Sequence, residues 1–304
     1  MIYTCTITPS IDYTVYLPAA FENGKLNRSE EVYYYPGGKG INVSRVLNRL
    51  GVESKALGFT GGFTGSYIEE FLQKEGVDTD FIDTSEITRI NIKIKSDKET
   101  EINGPGPELT EQQLQVLTNK VRAMKKGDWF ILAGSLPNSI PDSYFLDLAE
   151  ICRETGVHFV LDTSGPALKK LTKVPCFLIK PNLEELGELF DTEITDIKDA
   201  HYYAKRLLEN GIKHVIVSMG GEGALLVTKD LSLSAKAPIG LVINTVGSGD
   251  SLVSGFIASY SKDENPHKAF RYGVASGSAT AFRSDLCDQQ GVEVLLEQVE
   301  ITPI

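Results

Sequence analysis

Cysteine is scarce. The 304-residue chain has four, Cys5, Cys152, Cys176 and Cys287, scattered and without a CxxC pair. That spacing argues against a disulfide framework or a zinc site and fits a reducing, cytoplasmic setting. Long apolar runs are also missing, and none approaches the ~20 residues that a membrane span requires. The opening Met-Ile-Tyr-Thr-Cys-Thr-Ile lacks a basic region, and Pro9 and Asp12 follow closely. It is therefore expected to form a first strand rather than a signal peptide. Positive charge is in deficit, at a formal net −11. Such a chain repels nucleic acid and anionic membranes, so neither is an expected partner. It repels small anions at long range too, so any phosphorylated ligand needs local basic residues and backbone N–H groups. No internal repeat or low-complexity linker divides the chain.

What is present is an alternation of short apolar strands and amphipathic helices. Ile41–Leu50 has apolar residues at helical spacings of three and four. Ser54–Phe59 reads as a strand, Ser66–Lys74 and Thr110–Met124 as helices, and Asp128–Ala133 as a buried strand. Asp142–Glu154 is helical, Val157–Leu161 and Phe177–Lys180 are strands, Asp196–Asn210 is a helix and His214–Ser218 a strand. Repeated βα units of this kind predict an α/β fold, a mostly parallel sheet sandwiched by helices. Two segments break the rhythm. Residues 11–35 hold strand-like pieces with no helix between them. Arg89–Lys95 alternates strictly, with Ile90, Ile92 and Ile94 on one face, and Glu99–Asn103 follows a turn, which predicts an antiparallel hairpin. Together they suggest a small sheet projecting as a lid, over about 11–36 and 88–104, from a single domain spanning 1–304.

Four motifs could carry chemistry. Pro36-Gly37-Gly38-Lys39-Gly40-Ile41-Asn42 leads from a strand into a helix, and its glycines would let backbone N–H groups approach an anion or a sugar hydroxyl. A dinucleotide fingerprint would need glycine at Val43 and an acid about 20 residues on. Neither is present, which argues against a nicotinamide-dependent dehydrogenase. A Walker loop would need Ser or Thr where Gly40 stands. The plain alternative is a tight turn. Gly247-Ser248-Gly249-Asp250, opening an apolar helical run, would wrap an anion at a helix N-terminus, although Asp250 could be only a favourable helix-start acid. Met219-Gly220-Gly221-Glu222-Gly223 would hug a nucleotide or form a glycine-rich hairpin. Lys180-Pro181-Asn182-Leu183-Glu184-Glu185 contains an Asn-x-x-Glu capping box, and Asp162-Thr163-Ser164-Gly165 reads first as a loop and cap.

The two glycine motifs, about two hundred residues apart and in this order, resemble the signatures of the ribokinase-like sugar kinases, often called the PfkB family. Lys180-Pro181-Asn182-x-x-Glu185 and the Gly220–Ala224 loop match further elements of that family, and the resemblance covers essentially the whole chain. Thr8-Pro9-Ser10-Ile11-Asp12, Gly38-Lys39-Gly40, Ala133-Gly134-Ser135-Leu136-Pro137 and Asn244 are most similar to its phosphosugar branch. The resemblance implies ATP-dependent, Mg²⁺-assisted phosphorylation of a ketohexose phosphate. Fructose 1-phosphate leads, tagatose 6-phosphate and then fructose 6-phosphate follow, and a non-catalytic sugar-phosphate sensor is the rival from another class.

The resemblance also assigns roles. Asp12 would hold sugar hydroxyls with Gly38, Asn42 and Ser135. Arg28, Lys39 and Arg89 would bind the existing phosphate, with Lys25 and Lys93 behind them, a basic cluster that an acidic chain needs. Asp250 would be the base, kept ionised by the helix N-terminus, and the N–H groups of Gly247, Ser248, Gly249 and Asp250 the anion hole. Lys180, Asn182, Ser218, Gly220, Gly221, Gly223 and Asn244 would line the nucleotide site, and Glu185 would organise water around Mg²⁺. Lids of this family often pair, which implies a homodimer.

Overall fold

The computed structural model describes residues 1–304. It opens with β1 (Ile2–Thr6), β2 (Ser10–Tyr16), β3 (Glu31–Gly37), α1 (Lys39–Arg49), β4 (Ser54–Thr60) and α2 (Gly62–Lys74). Four short strands follow: β5 (Asp78–Thr79), β6 (Ile82–Asp83), β7 (Arg89–Lys95) and β8 (Thr100–Asn103). Next come α3 (Glu111–Arg122), β9 (Trp129–Ala133), α4 (Asp142–Thr155), β10 (His158–Asp162), α5 (Gly165–Leu171), β11 (Leu178–Ile179), α6 (Leu183–Phe190), α7 (Ile197–Leu208) and β12 (His214–Ser218). The chain closes with β13 (Ala224–Thr228), β14 (Ser232–Ala235), α8 (Ser248–Asp263), α9 (Pro266–Ala281), α10 (Gln289–Leu296) and β15 (Ile301–Pro303).

The large sheet runs β15-β14-β13-β12-β11-β10-β9-β1-β4-β5, with β6 also on β4. From β12 to β5 every pairing is parallel, whereas β13, β14 and β15 add antiparallel at one edge. The central strands are apolar on both faces because helices cover both. Phe130 and Leu132 of β9 enter one core cluster, and Trp129, Ile131 and Ala133 enter the other. Burying a side chain of this size stabilises the fold by about 1.5–3 kcal/mol, so neither face tolerates a polar residue cheaply. The first residues form β1, hydrogen-bonded between β9 and β4 in the middle of this sheet, and no helix is long and apolar enough to cross a membrane.

The segments that broke the βα rhythm form a separate four-stranded sheet, β3-β2-β7-β8. β7 and β8 make the expected antiparallel hairpin, and β2 lies parallel to β7 with Asp12 opposite Asn91 and Tyr13 opposite Ile92. Alternation then sorts the two faces. Asp12, Asn91 and Lys93 share the face toward the large sheet, and Tyr13, Tyr34, Ile92 and Ile102 share the other. Element ends differ from expectation where glycine misleads. The helix expected from Ser66 begins at Gly62, because Gly62 and Gly65 read as loop although Gly65 packs closely on Thr60 and Thr88.

Candidate active site

In a parallel sheet, ligands gather beyond the carboxyl ends of the strands. Here those ends deliver Thr8 and Ser10 after β1, Gly134 and Ser135 after β9, Asp162 at the end of β10, Lys180 after β11 and Ser218 at the end of β12. The small sheet hangs over the same edge. Between them lies a cavity of about 280 Å³, with Asp12, Asn42, Arg45, Lys93, Asn244 and Asp285 among its walls.

The first glycine motif works by close approach. A Cβ on Gly38, at φ +121°, would sit 2.5 Å from Thr6, and one on Gly40 would sit 2.6 Å from Thr6 Oγ1. Without side chains there, α1 starts directly against β1, and Thr6 Oγ1 accepts from the Ile41 N–H over 3.0 Å. This places Asn42 and Lys39 at the edge of the site.

The second motif starts α8, with Gly247 in the left-handed region at φ 80°. The N–H groups of Gly249 and Asp250 find no acceptor in the chain, as expected for a first helical turn, and they are free for an anion. Asp250 is buried, and its Oδ2 accepts from Asn42 Nδ2 over 2.8 Å. Burial first, and then the nearby Asp162 carboxylate, push the Asp250 pKa up to about 6, against the pull of Lys39, Asn42 and Lys180. This reverses the expected direction: loss of solvent and a like charge outweigh the helix N-terminus. A carboxyl near pH 6 is suited to accept a proton at neutral pH.

Asp162, a loop-and-cap signal in the sequence, stands at the centre of the charges. Its side chain is fully buried, and Oδ1 lies 3.1 Å from Lys39 Nζ and 3.6 Å from Lys180 Nζ. The Asp162 charge holds the Lys39 pKa well above the ordinary lysine value. Its position at a strand's carboxyl end was the signal available in the sequence.

The sugar-side predictions divide. Asp12 accepts at Oδ1 from Ser10 Oγ (2.9 Å) and from Asn91 Nδ2 (3.2 Å), and its Oδ2 lies 3.4 Å from Lys93 Nζ. Arg89 donates to the carbonyls of Thr8 (3.0 Å) and Gly104 (3.3 Å) and faces no carboxylate in an ion pair. Ser135 is exposed just after β9, its carbonyl accepting from Thr8 Oγ1. Arg28 does not line this cavity: it sits exposed on the loop joining β2 and β3. Lys25 on the same loop pairs with Glu22. Lys93, ranked behind Arg28 in the sequence, lines the cavity instead.

On the other side, Lys180 is buried, with its Nζ against Gly249. The capping reading of Asn182 and Glu185 holds: Glu185 N–H donates to Asn182 Oδ1 (2.7 Å), and Asn182 N–H donates to Glu185 Oε2 (2.9 Å). The hairpin reading of Gly220-Gly221-Glu222-Gly223 holds too, since it joins antiparallel β12 and β13. Gly223 is required there, as a Cβ would fall 1.9 Å from the Ala235 carbonyl oxygen. Gly220 and Gly221 present open backbone, and Ser218 is fixed by its N–H to the Pro181 carbonyl. Asn244 forms a turn, its Oδ1 accepting from the Val246 N–H over 3.1 Å, and lines the cavity shared with Asp12 rather than the hairpin side. The sequence reading missed the strip between Ala237 and Asn244. Ile239 and Leu241 there are 95% and 80% exposed, a large apolar edge running from beside Gly223 to Phe282.

Two glycine turns bound by Asn42 and Asp250, and a second sheet over them, form one constellation along the whole chain, and residues 7–290 match the family described as pfkB family carbohydrate kinase. The chain belongs to the pfkB family. This carbohydrate kinase is 49% identical over 302 residues to 1-phosphofructokinase of Bacillus subtilis, covering 99% of each chain. It is 37% identical to D-tagatose-1-phosphate kinase of Bacillus licheniformis, again over 99% of each. Among solved structures, Escherichia coli phosphofructokinase-2 in complex with fructose-6-phosphate superposes with a TM-score of 0.91 at 29% identity, over 98% of both chains. That enzyme has also been solved in a tetrameric inhibited form.

Proposed function

We propose that the chain transfers the γ-phosphoryl group of ATP to O6 of fructose 1-phosphate, giving fructose 1,6-bisphosphate and ADP. The observation that carries the reading is the buried Asp250 carboxylate beside the unpaired N–H groups of Gly249 and Asp250: a proton acceptor and an anion hole on one helical turn. Likeness to 1-phosphofructokinase at 49% identity, along 99% of the chain, supports the choice of sugar.

In this mechanism the O6 hydroxyl attacks the γ-phosphorus. The O6–P bond forms, the bond to the β,γ-bridging oxygen breaks, and Asp250 takes the hydroxyl proton. Catalysis rests on positioning and charge stabilisation. Asn42 aims the Asp250 carboxyl, and Asp12 with Asn91 holds sugar hydroxyls. Arg89 and Lys39 face the phosphate already on the sugar. Lys180 and the open Gly220–Gly221 backbone serve the nucleotide phosphates, with Ser218 and Asn182 beside them, and the strip Ile239–Ile243 offers the apolar contact that an adenine ring needs. No cluster of three acidic, His or Cys side chains that could cage a metal exists in the chain. Mg²⁺ is usually held by substrate phosphates, waters and one or two carboxylates, and in this reading Glu185 would bind one of its waters. When bound, Mg²⁺ neutralises charge on the nucleotide phosphates.

The small sheet would close as a lid and exclude water, which limits ATP hydrolysis. Its outer face stays partly uncovered, with Tyr34 50%, Ile102 54% and Ile90 39% exposed. Two such faces would cover each other in a homodimer.

D-tagatose 1-phosphate is the second reading, favoured by 37% identity to a kinase of that sugar; it carries its phosphate at the same end and differs at one hydroxyl. A coupled assay with ATP over fructose 1-phosphate, tagatose 1-phosphate, tagatose 6-phosphate and fructose 6-phosphate decides. The expected order puts fructose 1-phosphate first in kcat/KM, and a higher value for either 6-phosphate overturns the assignment.

A further inference from the structure

Asp162 belongs to neither glycine motif, yet it is the one carboxylate within ion-pair range of both Lys39 and Lys180. The two lysines come from opposite halves of the site. Lys39 opens α1 beneath the small sheet, and Lys180 follows β11 and reaches Gly249 of the anion hole. Both contact the same oxygen, Oδ1. The other oxygen, Oδ2, is buried without any partner, although buried carboxylate oxygens are normally satisfied. The main chain around Asp162 is fixed: its carbonyl accepts from the Gly134 N–H over 2.9 Å, and Thr163 Oγ1 donates to the Gly134 carbonyl over 2.8 Å. The carboxylate is thus a rigid post, and the flexible partners are the lysines.

We infer that Asp162 is a positioning residue, whose carboxylate gathers the sugar-side Lys39 and the nucleotide-side Lys180 onto one point and holds both charged and aimed across the line of phosphoryl transfer. Two ammonium groups sharing a poorly solvated site would otherwise repel each other and tend to shed protons. One carboxylate between them removes that penalty. When phosphates arrive, each lysine exchanges a carboxylate oxygen for a phosphate oxygen with little movement, so the reorganisation otherwise needed at the moment of reaction is already done. The inference rests on the kinase reading. Wild-type enzyme inactive on every phosphosugar would defeat that reading itself, whereas the variants below test Asp162 alone.

The charges facing this point are Lys39 from α1, Lys180 after β11, Glu185 from α6 and Asp250 from α8. Replacing Asp162 by Asn removes one negative charge from among them and leaves the shape. Ground-state binding of two anionic substrates should then hold or tighten, while aim is lost. The expected result for Asp162→Asn is a kcat lower by ~10–100-fold, with KM for ATP and sugar phosphate unchanged or reduced. The acid limb of the kcat profile should also move to lower pH, because Asp250 loses its like-charged neighbour. Asp162→Glu, which keeps the charge, should recover part of kcat and the wild-type acid limb. Circular dichroism and thermal melting check that both variants fold, and isothermal calorimetry with each substrate separates binding from turnover. A raised KM with unchanged kcat and pH profile overturns the inference, and so does a kcat loss fully restored by raising Mg²⁺, which would make Asp162 a metal-handling group.

Discussion

Asn42 Nδ2 donates to Asp250 Oδ2 over 2.8 Å, across 208 positions of sequence. The bond joins the two glycine motifs, since Asn42 lies on the first turn of α1 and Asp250 on the first turn of α8. It orients the carboxyl that the proposed reaction uses as its base. Asp250→Asn keeps the volume and removes the proton acceptor. We expect kcat to fall by about 10²–10⁴-fold, with calorimetric affinities for ATP and sugar phosphate nearly unchanged. A near-normal kcat would falsify the assignment of Asp250 as base.

The same residue predicts a pH response. Only ionised Asp250 can take the hydroxyl proton, so kcat should drop as pH falls through about 6. Stability moves the opposite way. An acid whose folded-state pKa is raised holds its proton better when folded, and that gain is full below the ordinary value of 3.8 and gone once pH has risen through about 6. At neutral pH the ionised carboxylate therefore costs about 2–3 kcal/mol. Asp250→Asn should melt roughly 5 °C above wild type at pH 7.5, and a lower melting temperature would contradict the burial argument.

Arg89 and Lys93 sit four residues apart on β7 but face different partners. Arg89 meets only carbonyls, so its charge is available to a phosphate. Lys93 lies 3.4 Å from both Asp12 and Glu101, so it is already paired. Arg89→Ala should raise KM for the phosphosugar about 10–150-fold and leave KM for ATP alone. Lys93→Ala should act more weakly, through loss of Asp12 orientation. Equal weakening of both substrates by Arg89→Ala would place that side chain in the wrong half of the site.

His214 opens β12, at the end of that strand away from the site, among Phe177, Phe256 and Tyr260. Its Nδ1 is 3.1 Å from the Phe177 carbonyl, to which it donates as the neutral ring. Burial pushes its pKa down to about 4 from 6.5. The unfolded chain therefore binds a proton that the folded chain refuses between those values. Its contribution is present above pH 6.5 and is lost as pH falls to about 4, a swing of roughly 3 kcal/mol. Urea titrations at pH 7.5 and 5 should show His214→Phe losing less stability on acidification than wild type. Parallel losses would remove His214 from the account.

The outer face of the small sheet predicts assembly. Sedimentation at micromolar concentration should give a dimer for the wild type and a monomer for the double variant Ile90→Asp, Ile102→Asp. A monomeric wild type with full activity would leave the exposed face unexplained by self-association.

Much of this was legible in the chain. Period-two and helical patterns marked the βα units, and the alternation in Arg89–Lys95 marked the hairpin, because side-chain spacing on strands and helices is a local property. The glycine turns were legible because a positive φ is a property of single residues, whereas the close approach of Gly38 and Gly40 to Thr6 exists only in the fold. The sequence alone also required basic residues near the site, since a chain of net charge −11 must offset itself to hold anions. Tertiary structure decided where each of those residues stands. Arg28 ranks ahead of Lys93 in the sequence, yet Arg28 lies exposed on the loop joining β2 and β3 while β7 carries Lys93 into the cavity wall. It also decided how Asp250 ionises. A helix start lowers a carboxyl pKa, but burial and the approach of Asp162, 88 positions earlier, raise it by more. Asp162 itself could be recognised only once folding brought Lys39 and Lys180 to one of its oxygens, because electrostatic energy depends on distance and solvent exposure, and a linear sequence specifies neither.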